Sequence, residues 1–257
     1  MKIKKISKLS KTKYRIDFED AQSIITYDKV ILENNILLKK EIDDDTYIKM
    51  QQKNDYYDVY NKVVKYIIIK LRSEKEIRAY IKKYTEDKNM IDKIIEQLIK
   101  EGLINDDRYI KAFIEDKVNL TNWGPNKIER ELLNMNMDGS IVKQVLSSYD
   151  NKIFEDKIQK IISKKEKASK KDSLSLLKQK IERELLSLGY SKEFIKENIE
   201  NISIDETERI AKEIMKLYKK LSVKYSGPQL KYQLKQRLIQ KGFSSDIINE
   251  QLDLIEE

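Results

Sequence analysis

The chain has 257 residues and a formal net charge of +8; its 40% hydrophobic content supplies cores once those residues are patterned. It contains no Cys and no His, which excludes disulfides, thiolate chemistry, imidazole-ligated zinc and a Ser-His-Asp triad. With 37% charged residues, only six Gly and only two Pro, most segments tolerate helix and few interrupt it.

The basic start MKIKKISKLS is not followed by the apolar run of a signal peptide, and no stretch approaches the length that spans a bilayer. The expectation is a cytoplasmic chain without membrane contact. Residues 3 to 38 hold short apolar and β-branched clusters at Ile3 and Ile6, Tyr14 to Phe18, Ser23 to Thr26 and Val30 to Leu32. Tyr14, Ile16 and Phe18 alternate with Arg15 and Asp17, the two-residue period of a half-buried strand. A small N-terminal β/α head is expected.

From about residue 55 the period becomes helical, beginning with Val59, Val63, Tyr66 and Ile67. Four later segments then superpose. Their first anchors are Ile77, Ile128, Ile181 and Leu234, separated by 51, 53 and 53 residues, and four positions on stand Ile81, Leu132, Leu185 and Leu238. The lattice continues through Met90/Ile91, Ile141/Val142, Phe194/Ile195 and Ile247/Ile248 to Ile95, Leu146, Ile199 and Leu252. One apolar phase kept four times is an internal repeat of paired helices.

Between the paired helices, Gly189-Tyr190 and Gly242-Phe243 occupy equivalent places, where Gly can end a helix in the left-handed region and the aromatic ring can seal the turn. The corresponding residues are Asn136-Met137 and Thr85-Glu86 in the earlier units. A third helix follows in three units, at Asp106 to Val118, Asn151 to Ser163 and Asp205 to Leu221, with Asn105, Asp150 and Ser203 as candidate caps. Gly124-Pro125 and Gly227-Pro228 precede first helices, where Pro is tolerated.

The fold expected is mainly α: elongated tandem three-helix bundles behind a small N-terminal β/α domain. Its parts are a head with following linker (1–54), a leading helix (55–72), repeats at 73–121, 122–168 and 169–223, and a shortened fourth repeat at 224–257. Such a repeat array favours a macromolecular partner over a small substrate.

Charge is segregated along the chain. Residues 1 to 16 carry seven bases and no acid, and residues 214 to 245 carry Lys216, Lys219, Lys220, Lys224, Lys231, Lys235, Arg237 and Lys241, again with no acid. The terminal set is a candidate contact for DNA or an acidic protein surface; lysines that merely solvate amphipathic helices are the alternative. Nothing in it reads a base sequence, so any DNA contact is electrostatic and general.

Other motifs carry two readings each. Arg72-Ser73-Glu74-Lys75-Glu76 displays charge at a helix start, but Ser73 and Glu76 also fit a capping box. Asp106-Asp107 contains two metal-ligand types, yet negative charge is favourable at a helix start and no third ligand is evident. Trp123 and Tyr225 are recognition groups or packing groups. The basic run from Lys164 to Lys171 is a phosphate contact, a helix extension or a connector. No catalytic, cofactor-binding or metal-binding residue is assigned, and the chain is read as no enzyme.

Four stretches also carry a family resemblance: RSEKEIRAYIKKY at 72–84, IDKIIEQLIKEGLINDDRYIKAFI at 91–114, WGPNKIERELL at 123–133 and GPQLKYQLKQRLIQKGFSSDII at 227–248. In this order they resemble the RecX regulatory family, modulators of the bacterial RecA recombinase in DNA repair and the SOS response. Ile104-Asn105 stands where Leu-Asp is commoner, and Thr85-Glu86 departs from the Gly-aromatic turn. The resemblance implies tandem three-helix bundles that bind a RecA filament on single-stranded DNA and lower its ATP hydrolysis and strand exchange. ATP and magnesium would belong to RecA. Separately from the resemblance, a monomer is expected because no repeated seam in the sequence requires self-association. On this reading Arg72, Glu74, Trp123, Gly124 and Pro125 are partner-facing or structural. The residues themselves leave open an independent, nonspecific DNA-binding protein and an adaptor for an acidic protein.

Overall fold

The computed structural model describes residues 1–169 and 172–254. The chain divides into two compact units, Met1–Tyr109 and Ile110–Glu257. The fold is mainly helical, with tandem three-helix repeats behind a small N-terminal β-sheet domain.

The head begins with strands β1 (Ile3–Lys8), β2 (Lys13–Phe18) and β3 (Ile24–Tyr27), an antiparallel sheet in the order β1-β2-β3. Its register sets Ile16 opposite both Ile6 and Ile24. Because side chains alternate along a strand, Ile16 and Phe18 share a face, and they pack with Val30 and Ile31 of α1 (Asp28–Glu33) and with Ile36, Ile42 and Met50.

Helix α2 (Asp44–Ile69) starts at Asp43, whose carboxylate accepts from the Thr46 amide at 2.7 Å. It runs unbroken through the position where a linker was expected to end. The reason lies at Asn54, which is buried: it accepts from the Thr26 hydroxyl at 2.8 Å and donates to the Ile25 carbonyl at 3.0 Å. The first half of α2 closes the head, with Met50 in that core, and the second half supplies Val59, Tyr60, Val63 and Ile67 to the next.

That second core is completed by α3 (Glu74–Ile81) and α4 (Lys88–Lys100), through Ile77, Ile81, Ile91, Ile94, Ile95 and Leu98. Ser73 caps α3 in a reciprocal box with Glu76, the Glu76 amide donating at 3.2 Å and the Ser73 amide at 2.9 Å. Helix α5 (Asp106–Leu120) then crosses into the second unit, its Arg108 amide donating to Asn105 Oδ1 at 2.8 Å.

The second unit continues with α6 (Pro125–Asn134), α7 (Gly139–Ser147), α8 (Asn151–Ala168), α9 (Leu174–Ser187), α10 (Lys192–Ile199), α11 (Thr207–Leu221), α12 (Gly227–Gln240) and α13 (Ser245–Asp253). All four first anchors are buried, as are the residues four positions beyond each. Burying such a side chain contributes about 1.5–3 kcal/mol. Asp150 caps α8 as expected, but Ser203 does not cap α11: the Thr207 amide donates to Asp205 Oδ1 at 2.9 Å, because α11 starts a few residues later.

The grouping of helices differs from the expected one. α2 forms one core with α3 and α4, and Ile210 and Ile214 of α11 share a core with Leu230, Leu234 and Leu238 of α12 and Ile248 and Leu252 of α13. Helix α11, read as the third of a unit, therefore shares its core with the two helices that follow it, α12 and α13. A three-element period in sequence has no marked beginning, so only packing chooses where the unit starts. Of the Lys164 to Lys171 run, Lys164–Lys167 continue α8, while Lys170 and Lys171 lie outside the described residues, as do 255–257 at the end of the fourth repeat.

Candidate interaction surfaces

The Trp123-Gly124-Pro125 motif is an internal joint. Gly124 caps α6 with Pro125 in its first turn, and the Gly124 amide donates to the Leu188 carbonyl at 2.7 Å. The Asn126 amide donates to the Gly189 carbonyl at 3.1 Å, and the Tyr190 hydroxyl donates to the Asn122 carbonyl at 3.2 Å. The turn between α9 and α10 thus satisfies amides that the start of α6 leaves unpaired. Trp123 is half-buried, with Lys117 Nζ 4.8 Å and Lys127 Nζ 4.5 Å from its ring.

The same joint recurs one bundle on. Ser173, fully buried, caps α9 by accepting from the Leu176 amide and donates its hydroxyl to the Lys241 carbonyl at 2.8 Å, beside Gly242 in the turn after α12. A cation accompanies each joint: Lys157 of α8 donates to the Val118 and Thr121 carbonyls, and Arg209 of α11 donates to the Ser169 and Asp172 carbonyls, each at 3.0 Å. Burial lowers the Lys157 pKa, with Lys160 adding to the effect. These positions escaped notice in the sequence, although Arg209 lies 52 positions after Lys157, within one residue of the repeat spacings.

Arg72 and Glu74 are tied into the first bundle. The Arg72 guanidinium lies 4.2 Å from the Tyr66 ring and 3.3 Å from Glu76, and Glu74 pairs with Arg78 at 2.6 Å. Arg78 also reaches Asp92 at 2.6 Å. Asp106 begins α5 with its carboxyl pushed up by burial and by Glu74 and Asp107. Among the described residues no group of three or more carboxylates is placed to hold a metal ion, and no helix is long and apolar enough to cross a membrane.

The eight terminal cations separate into groups. Lys216 and Lys220 of α11 and Arg237 and Lys241 at the end of α12 line a groove of about 360 Å³ with Leu217, Leu221 and Gln240. Its floor carries buried Glu213, 3.0 Å from Lys241 Nζ and 3.9 Å from Lys216 Nζ. Lys231 lies in a second groove with Tyr218, Leu230 and Leu252 and pairs with Asp253 at 3.0 Å. Lys219 and Lys224 are exposed and Lys235 is half-buried, and none of the three lines the first groove. The sequence run concealed Glu213 because it lies just outside the acid-free stretch.

A chain of three-helix bundles locked through helix-start joints is a tandem helical-repeat protein. Comparison with known proteins narrows that class. Family models described as the second and third three-helix domains of RecX match residues 105–146 and 204–252, the spans of α5–α7 and α11–α13. Regulatory protein RecX of Lactococcus lactis subsp. lactis is 30% identical over 262 residues, covering 98% of this chain and 97% of that one. RecX of Oceanobacillus iheyensis is 28% identical, covering 98% of both. The crystal structure of RecX from Lactobacillus salivarius, 27% identical, covers 58% of this chain and 96% of that one with a TM-score of 0.53. A second RecX crystal structure, at 20% identity, shares the fold with a TM-score of 0.69 over 78% of this chain and 99% of that one. The chain belongs to the RecX family of regulatory proteins.

Proposed function

We propose that this chain is a non-enzymatic regulator that binds RecA filaments on DNA and lowers their ATP hydrolysis and strand exchange. The observation that carries this reading is the family membership, which extends over 98% of the chain rather than over one module. ATP and magnesium then belong to the filament. The Lys216, Lys220, Arg237 and Lys241 groove supports an electrostatic contact with filament DNA or an acidic rim, since four cations on two helices face a single carboxylate.

The test uses filaments of a bacterial RecA assembled on single-stranded DNA. Added protein is expected to lower DNA-dependent ATP hydrolysis and strand exchange at stoichiometric or lower amounts. Unchanged activity on filaments to which the protein demonstrably binds sinks the inhibitory reading. Tight, salt-sensitive binding to bare DNA without any effect on RecA would favour the independent DNA-binding protein, and association that survives nuclease treatment would favour the acidic-protein adaptor.

A further inference from the structure

The first bundle carries an arrangement that neither the joints nor the terminal groove uses. The Tyr66 and Tyr80 rings are stacked with centroids 3.9 Å apart and planes 4° from parallel. Tyr84 extends the cluster, its ring edge-on to Tyr80 at 5.3 Å and its hydroxyl 3.1 Å from the Tyr80 hydroxyl. Arg72 covers the Tyr66 ring, Lys62 Nζ is 4.4 Å from the Tyr84 ring centroid and Lys83 Nζ is 5.6 Å from that of Tyr80. Tyr84 is 42% exposed.

The surrounding charge is lopsided. Between Lys62 and Tyr84 eight lysines and arginines stand against two glutamates, Glu74 and Glu76. Both glutamates already pair with arginines, Arg78 and Arg72. The segment therefore rivals the two acid-free ends in positive charge, although its two acids hide it from a search for acid-free runs.

We propose that this tyrosine cluster is a binding surface for unpaired nucleic-acid strands, with a base stacked on Tyr84 and backbone phosphates met by Lys62 and Lys83. An acidic protein surface would be served by the lysines alone and has no need of aromatic rings among them. Base faces are sheathed within a duplex but available in a single strand, and aromatic platforms set among cations bind single strands with little sequence preference. The stack itself holds the platform: Tyr66 from α2 and Tyr80 from α3 fix one another, so the outer ring is placed without a ligand. This inference concerns the isolated chain and does not rest on the filament reading.

The experiment measures binding of the full-length protein to a short fluorescent oligo(dT) and to a duplex of equal length, without RecA, across a salt series. Tyr84→Ala should weaken oligo(dT) binding roughly 5- to 150-fold, the range for loss of one stacked base, while duplex binding is unchanged. Tyr84→Phe, which keeps the ring and loses the hydroxyl contact, should bind oligo(dT) like the parent. Lys62→Ala with Lys83→Ala should reduce the salt slope for oligo(dT) by about 1.4, at about 0.7 per phosphate contact. Wild-type oligo(dT) binding by folded Tyr84→Ala overturns the proposal, and so does equal loss of single-strand and duplex binding. If Tyr84→Ala fails to fold, the lysine double variant decides alone, and an unchanged slope overturns the proposal. Normal RecA inhibition by a variant that has lost oligo(dT) binding would leave the filament reading standing, while loss of RecA inhibition alone would not touch this one.

Discussion

Gly124 and Gly189 meet backbone to backbone: a Cβ on Gly124 would lie 2.7 Å from the Gly189 carbonyl carbon, and one on Gly189 would lie 2.3 Å from Lys127 Cβ. Gly189 also has φ +86°, so two separate demands exclude a side chain there. Gly124→Ala should lower stability by about 1–3 kcal/mol through overpacking, and Gly189→Ala by more, because the left-handed backbone adds about 1–2 kcal/mol to the same overpacking. Gly102→Ala is the comparison, since Gly102 has φ +70° but open space around it, and its cost should be about 1–2 kcal/mol from the left-handed backbone alone. Urea unfolding of the three variants checks this, and Gly189→Ala no worse than Gly102→Ala would disprove the close approach.

The cations at the joints should matter more than surface lysines. Arg209→Met removes two hydrogen bonds from one guanidinium nitrogen to the Ser169 and Asp172 carbonyls and should cost about 1–3 kcal/mol in thermal or urea unfolding. Lys212, exposed and paired to Glu208 within one helix, supplies the control: Lys212→Met should change stability by less than about 0.5 kcal/mol. Equal effects of the two substitutions would remove Arg209 from the joint.

Tyr60 gives a pH-dependent expectation. Its hydroxyl donates to Glu101, whose carboxyl is held below the ordinary value of 4.5 by that bond and by Gln97. A lowered carboxylate contributes stability that is complete above its unfolded pKa and is lost as pH falls through the folded one. Tyr60→Phe should therefore cost about 1 kcal/mol at neutral pH, and the difference from wild type should shrink as pH falls below the unfolded value. A difference that grows on acidification, measured by urea unfolding at each pH, contradicts the assignment.

The terminal cations should not be equivalent in binding. Neutralising Lys216, Lys220, Arg237 and Lys241 together should weaken association with RecA filaments on DNA more, and reduce its salt dependence more, than neutralising Lys219, Lys224 and Lys235. Equal losses from both sets would point to diffuse charge rather than to the groove. Lys231, paired with Asp253, is best left intact in both sets so that α12 remains tied to α13.

Much of this architecture is legible in residue order. The strand alternation from Tyr14 to Phe18, the capping box at Ser73 and Glu76, and the buried lattice through Ile77, Ile128, Ile181 and Leu234 are local properties. Backbone geometry sets their periods and caps within a few residues. The positions missed, Lys157, Arg209 and Glu213, act on groups that are remote in sequence or lie just beyond the run that drew notice.

By itself, then, the sequence determined which faces are apolar and that the unit repeats, because each follows from neighbours a few residues apart. Tertiary structure alone decided that α11 packs with α12 and α13, that the Gly124 motif is a joint, and that four of eight basic side chains share one groove. An apolar stripe specifies that it must be covered but does not name the helix that covers it, and that choice rests on shape and close approach between segments many residues apart.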